Sequence, residues 1–237
     1  MKTFMHFMGA ILCSLLFTSA ASAYGTSFGS SMGGGHSVDI GIGLTSASQD
    51  DLNSHIDAVN AANATSINHL GSAYEFVLGY EYRFAGTMYA LHFRPSYFTQ
   101  STSSNGYKYS LTGYTFYPMF RIYPLENGFI HFFMQIGAGY GQLNGKISQP
   151  GGEVTFHGSS FGAIGGLGAQ FCFTAENCVA VEGDLRYNSI DRNLVESSSG
   201  VISQMSQYNQ NELEYGGKDV GTTLSGIQGI VSYVLKF

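Results

Sequence analysis

The sequence predicts an all-β fold, an eight-stranded antiparallel transmembrane up-and-down barrel with short turns at one end and long loops at the other. From Val38 onward, apolar and polar residues alternate with period two in eight runs, which is typical of strands with two different faces. These runs are about 9 to 13 residues long, which matches a tilted membrane crossing. Short and long connections alternate between the runs, as expected for the two ends of such a barrel.

The N-terminal region predicts export. Residues 1–23 contain Lys2, an apolar run and a small-residue A-x-A ending at Ala23, which is the pattern of a secretory signal peptide. We expect cleavage after Ala23. Residues 24–36 are rich in glycine and predict a flexible periplasmic segment, and residues 37–237 predict the barrel domain.

The composition narrows the function classes. Only 11% of the residues are charged, well below the quarter or so of an ordinary soluble domain. The formal net charge is −6, and loss of Lys2 with the signal peptide makes it −7. An acidic chain without basic clusters is a poor nucleic-acid binder, so we expect no nucleic-acid partner. After Tyr24, no apolar run approaches the roughly 20 residues of a helical membrane crossing.

The eight strands are predicted in order along the chain. The first four are SVDIGIGLTS, YEFVLGYEYRF, MYALHFRPSYF and YTFYPMFRI, and the last four are FIHFFMQIGAGYG, FGAIGGLGAQFCF, CVAVEGDLRYN and GIQGIVSYVLKF. In the first, Val38, Ile40 and Ile42 alternate with Asp39 and Gly41. We predict long loops after Thr45, Phe98, Gly141 and Asn188, and short turns at Gly86, PLENG and TAEN.

Alternation alone does not decide which face points inward. A soluble barrel would bury the apolar face, whereas a membrane barrel turns that face to lipid and keeps a polar lumen. Here the polar faces hold Glu, Arg and Asp at mid-strand among many glycines, which favours the membrane version. The long loops are then extracellular, and the short turns and both termini are periplasmic.

Three stretches resemble those of a known family. VSYVLKF at the C-terminus, FCFTAENCVAVEGDLRYN and PLENGFIHFFMQIGAGYG are similar to segments of the small OmpA-like outer-membrane barrels, which include the OmpX and OmpW types. The resemblance runs from about Val38 to Phe237. It implies a bacterial outer-membrane protein in contact with outer-membrane lipid. It also implies that the barrel-assembly machinery recognises Phe237 with Leu235, Tyr233 and Val231.

Charged residues on the inward faces form the main candidate site. They are Glu75, Glu81, Arg83, His92, Arg94, Arg121, Glu182, Asp184, Arg186 and Lys236. Carboxylates beside a histidine could perform acid–base chemistry. However, side chains fill the interior of an eight-stranded barrel, and buried charges must pair, so a salt-bridged plug is favoured.

The order of the strands predicts which residues meet inside the lumen. The third strand faces the seventh, so His92 and Arg94 should meet Glu182 and Asp184. The second strand, with Glu81 and Arg83, should face the glycine-lined sixth. Inward glycines on the first and fifth strands predict a local hollow, with a dry, packed interior as the open alternative.

Two cysteines flank the turn TAEN. Cys172 and Cys178 both lie on the inward face, and exported proteins meet an oxidising compartment, so we predict a disulfide that staples this hairpin. Metal binding or redox chemistry is the alternative, but no nearby histidine completes a ligand set.

Two loops are further candidate sites. The first, DDLNSHID, offers oxygen ligands for a divalent ion, but the helical spacing of Leu52, Ile56 and Val59 favours a short amphipathic helix. The last loop, from Asp191 to Asp219, is rich in Ser, Gln and Asn, which predicts a flexible, exposed segment that binds partners or covers the surface.

Taken together, these features predict a monomeric, non-enzymatic outer-membrane barrel with a structural or surface-interaction role through its loops. We expect no catalytic residues, metal or cofactor, and the surface partner is not identified by the sequence. Two alternatives stay open: a narrow channel or transporter for small or hydrophobic solutes, and a membrane-embedded lipid-modifying enzyme.

Overall fold

The barrel wall consists of eight antiparallel strands. The computed structural model describes residues 35–202, 205–206 and 211–237, so the signal peptide and residues 24–34 of the N-terminal segment lie outside it. The wall strands are β1 (Gly35–Ser46), β2 (Ser72–Arg83), β3 (Tyr89–Ser104), β4 (Tyr107–Glu126), β5 (Ile130–Gln149), β6 (Gly152–Cys172), β7 (Asn177–Tyr187) and β14 (Gly226–Lys236). Each strand pairs with the next, and β14 pairs with β1, which confirms the predicted barrel.

The two ends of the chain close the ring. The β1–β14 ladder runs from Ser37 opposite Lys236 to Ser46 opposite Ile227. Beyond it, the amide of His36 donates to the carbonyl of Phe237 at 3.1 Å, and the amide of Phe237 donates back at 2.9 Å. The final residue therefore belongs to the ladder, and closure leaves no exposed sheet edge in this part of the wall.

The outward face of the wall is apolar where all eight strands run side by side. On β5, Ile136 is 68% exposed while the adjacent Gln135 is 5% exposed, and the same alternation repeats on the other strands. An apolar surface of this kind requires an apolar surrounding. In the described part of the chain, no helix is both long enough and apolar enough to cross a membrane.

Four neighbouring strands extend far beyond the other four. Strands β3 to β6 have 16, 20, 20 and 21 residues, whereas the others have 11 or 12. The connections expected to be long loops after Phe98 and Gly141 are therefore mostly strand. They close in tight turns, and at one turn Asn105 and Gly106 both have positive φ, +52° and +83°. Asn-Gly is the residue pair that such two-residue hairpin turns favour.

The extended strands enclose a second core. A row formed by Phe116, Tyr140 and Phe161 crosses three adjacent strands in register on the outward face. We call the structure above this row the head (described residues of 47–71, 98–113, 142–160 and 188–225) and the wall below it the belt. In the head, the inward residues of the same strands are apolar, including Leu111, Leu143, Val154 and Phe156.

A helix and the last loop complete the head. Helix α1 (Asp50–Asn63) buries Leu52, Ile56 and Val59, so the predicted amphipathic helix is present. The last loop contains β8 (Ser189–Ile190), β9 (Leu194–Gly200), β10 (Met205–Ser206), β11 (Glu214–Tyr215), β12 (Lys218–Asp219) and β13 (Thr222–Thr223). Strand β9 pairs with the upper end of β6. Many described residues of the loop are exposed, as its composition predicts, but Val195, Ile202 and Leu213 are buried in the head core.

Candidate functional site

The upper layer of the lumen is centred on one carboxylate from β2. Glu75 accepts hydrogen bonds from Arg186 at 2.7 Å, Gln228 at 2.6 Å and Thr45 at 2.9 Å, and also from Ser96. The Glu75 and Arg186 side chains are each 1% exposed. The five side chains of this layer come from five strands, because the alternation of each strand turns one polar side chain inward at the same height.

The middle layer joins two arginines to three acids. Arg94 contacts Asp184 at 2.8 Å and also contacts Glu182. Arg121 contacts Glu81 at 2.7 Å and Glu182 at 3.4 Å, so Glu182 links the two guanidinium groups. Arg94 and Arg121 are 2% and 3% exposed. Charges this deeply buried are tolerated because each has an opposite charge within hydrogen-bond reach.

His92 occupies the centre of the middle layer. Its Nε2 lies 3.0 Å from Asp39, and its Nδ1 lies 2.7 Å from a guanidinium nitrogen of Arg121. Because a guanidinium can only donate, Nδ1 accepts and the proton is on Nε2, which donates to Asp39. Both ring nitrogens are therefore engaged, and the imidazole is 1% exposed.

The lower layer closes the end near the short turns. Arg83 and Glu126 form a two-fold contact, and His131 lies 3.3 Å from Glu126. Lys236 is 2.9 Å from Nδ1 of His131 and 3.4 Å from Sγ of Cys172. Cys172 and Cys178 form the predicted disulfide between opposite residues of β6 and β7.

The predicted pairings hold only in part. Arg94 meets Glu182 and Asp184 across the lumen, as expected. His92 does not; it contacts Asp39 and Arg121. Glu81 is bound by Arg121 and Tyr123 of β4 and does not simply face the glycines of β6.

Several members of the network were not singled out from the sequence. Asp39 was placed on the polar face of the first strand but not among the network charges, although its alternation with Val38 and Ile40 carried that signal. Glu126 was assigned to a turn. The side-chain amides of Gln135 and Gln228 each bridge charged side chains. The only signal in the sequence for their role is their place on the polar, inward face of their strands.

The predicted glycine-lined hollow is filled. A Cβ at Gly137 would lie 2.6 Å from the side chain of Met119, and one at Gly139 would lie 2.6 Å from the ring of Tyr117. Tyr117, Met119 and Ile164 form a buried apolar cluster inside the barrel. A side chain at either glycine would meet both the backbone of β4 and these overlying side chains, so the packed alternative describes this region.

The head covers the upper end of the lumen. The start of α1 is bonded to the last loop through the side chain of Gln49. Its Nε2 donates to the backbone carbonyl of Thr223 at 2.8 Å, and its Oε1 accepts from the backbone N–H of Thr223 at 2.9 Å. Inside the head, burial raises the pKa of Tyr109 to about 12, and its hydroxyl lies 3.1 Å from Nδ1 of His55. A phenol in this setting stays neutral at any physiological pH.

The acidic residues of the first loop do not converge. Asp51 accepts from the Gly221 amide at 2.7 Å, and Asp57 pairs with His69 at 2.8 Å. Within residues 35–202, 205–206 and 211–237, no three His, Cys, Asp or Glu side chains are grouped so as to hold a metal ion. Of the two predictions for this loop, the helix is present.

Solved structures with the same architecture include two outer-membrane proteins. The outer membrane protein OprG from Pseudomonas aeruginosa superposes with a TM-score of 0.56 at 13% identity, covering 88% of this chain and 99% of that one. This chain has the fold of a small outer-membrane β-barrel. A major outer membrane protein from Thermus thermophilus gives a TM-score of 0.53 at 12% identity, covering 86% and 99%. No protein-family model and no characterised protein matches the sequence.

The outer-membrane barrel fold agrees with the resemblance stated from the sequence. At such low identities the likeness concerns the fold, so the role of this barrel has to come from its own interior and surface. Two features of this barrel bear on its role: a belt lumen occupied by a three-layer charge network, and a folded head above it.

Proposed function

We propose that this chain is an integral outer-membrane barrel, closed to solutes, whose folded head serves a structural or surface-interaction role outside the cell. The observation that carries the proposal is the filled interior. Arg94, Arg121 and Arg186 are each held by at least one buried carboxylate, so the polar residues that could line a water path are paired with one another.

The head supports a role at the surface. Its core contains apolar residues from α1, from the upper wall strands and from the last loop. An apolar core outside the apolar belt is unnecessary for a barrel that only fills the membrane, whereas it gives the loops a defined shape. Defined loops on a rigid scaffold are the usual place for recognition.

The charge network is proposed to be structural and not catalytic. A general acid or base must reach its substrate directly or through one water. Both nitrogens of His92 are engaged by Asp39 and Arg121, and the ring is 1% exposed, so no substrate atom has access to it. The same burial applies to Glu182 and Asp184.

Single-channel recording tests the proposal. The refolded protein is added to a planar bilayer, with heat-modifiable gel migration as proof of folding. A matched variant lacks α1, residues 50–63. We expect both proteins to be electrically silent, because the layers around Glu75, Arg121 and Glu126 close the belt independently of the helix.

Each other result has a definite meaning. Discrete openings of the unaltered protein would overturn the closed-lumen proposal in favour of transport. Openings only in the variant lacking α1 would mean that the head seals the barrel and that the charge network does not, which would also overturn the proposal in its present form.

A further inference from the structure

The outward face of the head differs from the outward face of the belt. On β4, β5 and β6 the outward residues above the aromatic row are mostly polar. Apart from Tyr114, directly above the row, they include Lys108, Ser110, Asn144, Lys146, Glu153, Thr155 and His157. The cross-strand register places Ser110 opposite Lys146 and Lys146 opposite Thr155. The result is a sheet surface of hydroxyl, amide and cationic groups with one carboxylate, that of Glu153.

This surface continues directly from the apolar surface below. Phe116, Tyr140 and Phe161 form the last row that is aromatic on all three strands, since the next row consists of Tyr114, Gln142 and Ser159. Tyr140 contacts Phe161 with ring centroids 5.5 Å apart. Aromatic rows of this type mark the membrane–water boundary of barrels. Because the strands are continuous, lipid headgroups that surround the upper boundary of the belt also lie next to the outward face of the head.

Two of the cations outside the lumen lie on this face. Of the Lys and Arg residues within the described ranges, Arg83, Arg94, Arg121, Arg186 and Lys236 belong to the lumen layers. Four remain for the head, and two of these, Lys108 and Lys146, lie on adjacent strands of the outward face. Lys108 is opposite Ser148, two residues from Lys146, so the two lysines are diagonal neighbours.

Diagonal neighbours in a sheet have Cα atoms about 7 to 8 Å apart. Two lysines on neighbouring positions repel each other, and Glu153, 2.8 Å from Lys146, offsets the charge of only one of them. An anionic group that bridged the two lysines would turn this repulsion into attraction. Phosphate is the common anion of lipid headgroups.

The height of the lysines distinguishes between kinds of lipid. Lys146 is six residues above Tyr140 on β5. At roughly 3.3 Å per residue and a strand tilt of about 40°, it lies about 15 Å above the aromatic row along the barrel axis. A phospholipid headgroup layer is only about 5 to 8 Å thick on each side of a bilayer. Only a lipid with a taller headgroup reaches Lys146.

We propose that the outward face of the head, centred on Lys108 and Lys146, binds the phosphorylated oligosaccharide headgroup of an outer-leaflet glycolipid. The lysines bind phosphate, and the hydroxyl and amide side chains of Ser110, Asn144 and Thr155 bind sugar hydroxyls. The inference rests on the proposed function, since it requires the belt to lie in an outer membrane.

Reconstitution in defined vesicles tests this inference. The protein is folded into phosphatidylcholine alone, phosphatidylcholine with lipopolysaccharide that carries a phosphorylated core oligosaccharide, and phosphatidylcholine with the corresponding lipid A alone. The readout is the temperature at which the folded gel band converts to the unfolded one. We expect the core-bearing lipid to raise this temperature by a few degrees, and lipid A alone to raise it by less than half as much.

Matched variants identify the face. The double variant Lys108→Gln/Lys146→Gln should unfold in phosphatidylcholine at nearly the temperature of the unaltered protein, because the exposed pair with Glu153 contributes little to stability. It should lose at least half of the gain from the core-bearing lipid. Lys218→Gln, on the exposed β12, should keep the full gain. The gain should also shrink in high salt, because exposed charges are screened.

Three results would overturn the inference. They are an equal gain from lipid A alone, a double variant that keeps its gain, and no gain in any glycolipid vesicle. A chain that fails to fold into all three vesicles would instead overturn the proposed function, and the inference would fall with it. Failure of the inference alone is recognised by normal folding in phosphatidylcholine.

Discussion

Strands β3 to β6 pass through both the belt and the head, and the polarity of their two faces reverses between these regions. From Tyr109 to Tyr123 on β4, the odd-numbered residues face inward: Arg121 and Tyr117 in the belt, then Leu111 and Tyr109 in the head. In the belt the inward residues include the charged network, and the outward ones are apolar. In the head the inward residues are apolar, and the outward ones, such as Lys108, are polar.

The difference shows that the surrounding solvent, and not strand geometry, decides what a barrel encloses. In lipid, the apolar face gains nothing by turning inward, and the interior is left to polar groups that must satisfy one another. Where the strands leave the apolar layer, burial of apolar surface again drives packing, and the interior becomes an ordinary core. The inversion occurs at the row of Phe116, Tyr140 and Phe161 without a change of strand parity.

Removing one belt cation should have the largest effect. Arg94→Met leaves Glu182 and Asp184 buried without their main partner. Breaking a buried pair on one side costs about 3 to 5 kcal/mol, because the remaining charge is uncompensated. We expect the free energy of unfolding, measured by urea titration of the protein in vesicles, to fall by this amount.

A control in which the cation and both carboxylates are replaced by uncharged side chains separates charge from packing in that experiment. The triple variant Arg94→Met/Glu182→Gln/Asp184→Asn removes the cation and both carboxylates together, and it should recover most of the lost stability. If the triple variant is as unstable as Arg94→Met, the belt is held by shape and the account of its charge network is wrong.

The sequence predicts the belt better than the head, because only in the belt does every strand alternate apolar outward residues with polar or small inward ones. The period-two pattern identified the strands, their inward faces and the inward position of Arg94. In the head the sequence still alternates with period two, but the apolar residues change to the inward face near Gly113 and Gly141. The stretches of β3 to β6 beyond these points therefore resemble loops in the sequence. The Asn105–Gly106 turn was the available signal that β3 and β4 continue as a hairpin.

Contacts between distant parts of the chain could not be predicted in the same way. The partner of His92 depends on how far β1 is staggered relative to β3 and β4, which alternation does not specify. The helical spacing of Leu52 and Ile56 did predict α1, but nothing local indicates that Gln49 bonds to Thr223, 174 residues away. Composition alone therefore suggested an exposed last loop.

A charge placed in the head core should affect the head and spare the belt. Ile56 of α1 is fully buried among apolar residues. Ile56→Asp would bury a carboxylate without a partner, at a cost of about 2 to 3 kcal/mol or more, so the helix should leave the head. We expect rapid proteolysis within residues 47–71 while heat-modifiable migration of the barrel persists.

The exposed face of the same helix provides the control. Ser54→Asp adds the same charge at an exposed position and should leave residues 47–71 as resistant to proteolysis as in the unaltered protein. If Ile56→Asp also abolishes the folded gel band, the two regions fold as one cooperative unit, and the division into belt and head is structural only.

The smallest effect should come from an ion pair on the outside of the head. Hydrogen bonds from the Lys146 ammonium and the Ser148 hydroxyl hold the pKa of the Glu153 carboxyl below its ordinary value. Because the pKa of Glu153 is lower in the folded state, the pair stabilises the fold at pH values above the unfolded-state pKa. This stabilisation is lost as the pH falls through the folded-state pKa. Carbon NMR titration of Glu153 should give a midpoint below the ordinary one, and Lys146→Gln should raise it.

This exposed pair and the buried pairs of the belt have the same chemistry and should respond differently. Water and salt reach Lys146 and Glu153, whose side chains are 47% and 42% exposed, so concentrated salt should bring the Glu153 midpoint toward its ordinary value. The contact between Arg94 and Asp184, 3% and 0% exposed, is shielded from salt, so the loss of stability in Arg94→Met should be nearly independent of ionic strength. If salt reduces that loss as strongly as it shifts Glu153, water enters the belt lumen, and the distinction between a dry belt and a solvated outer face does not hold.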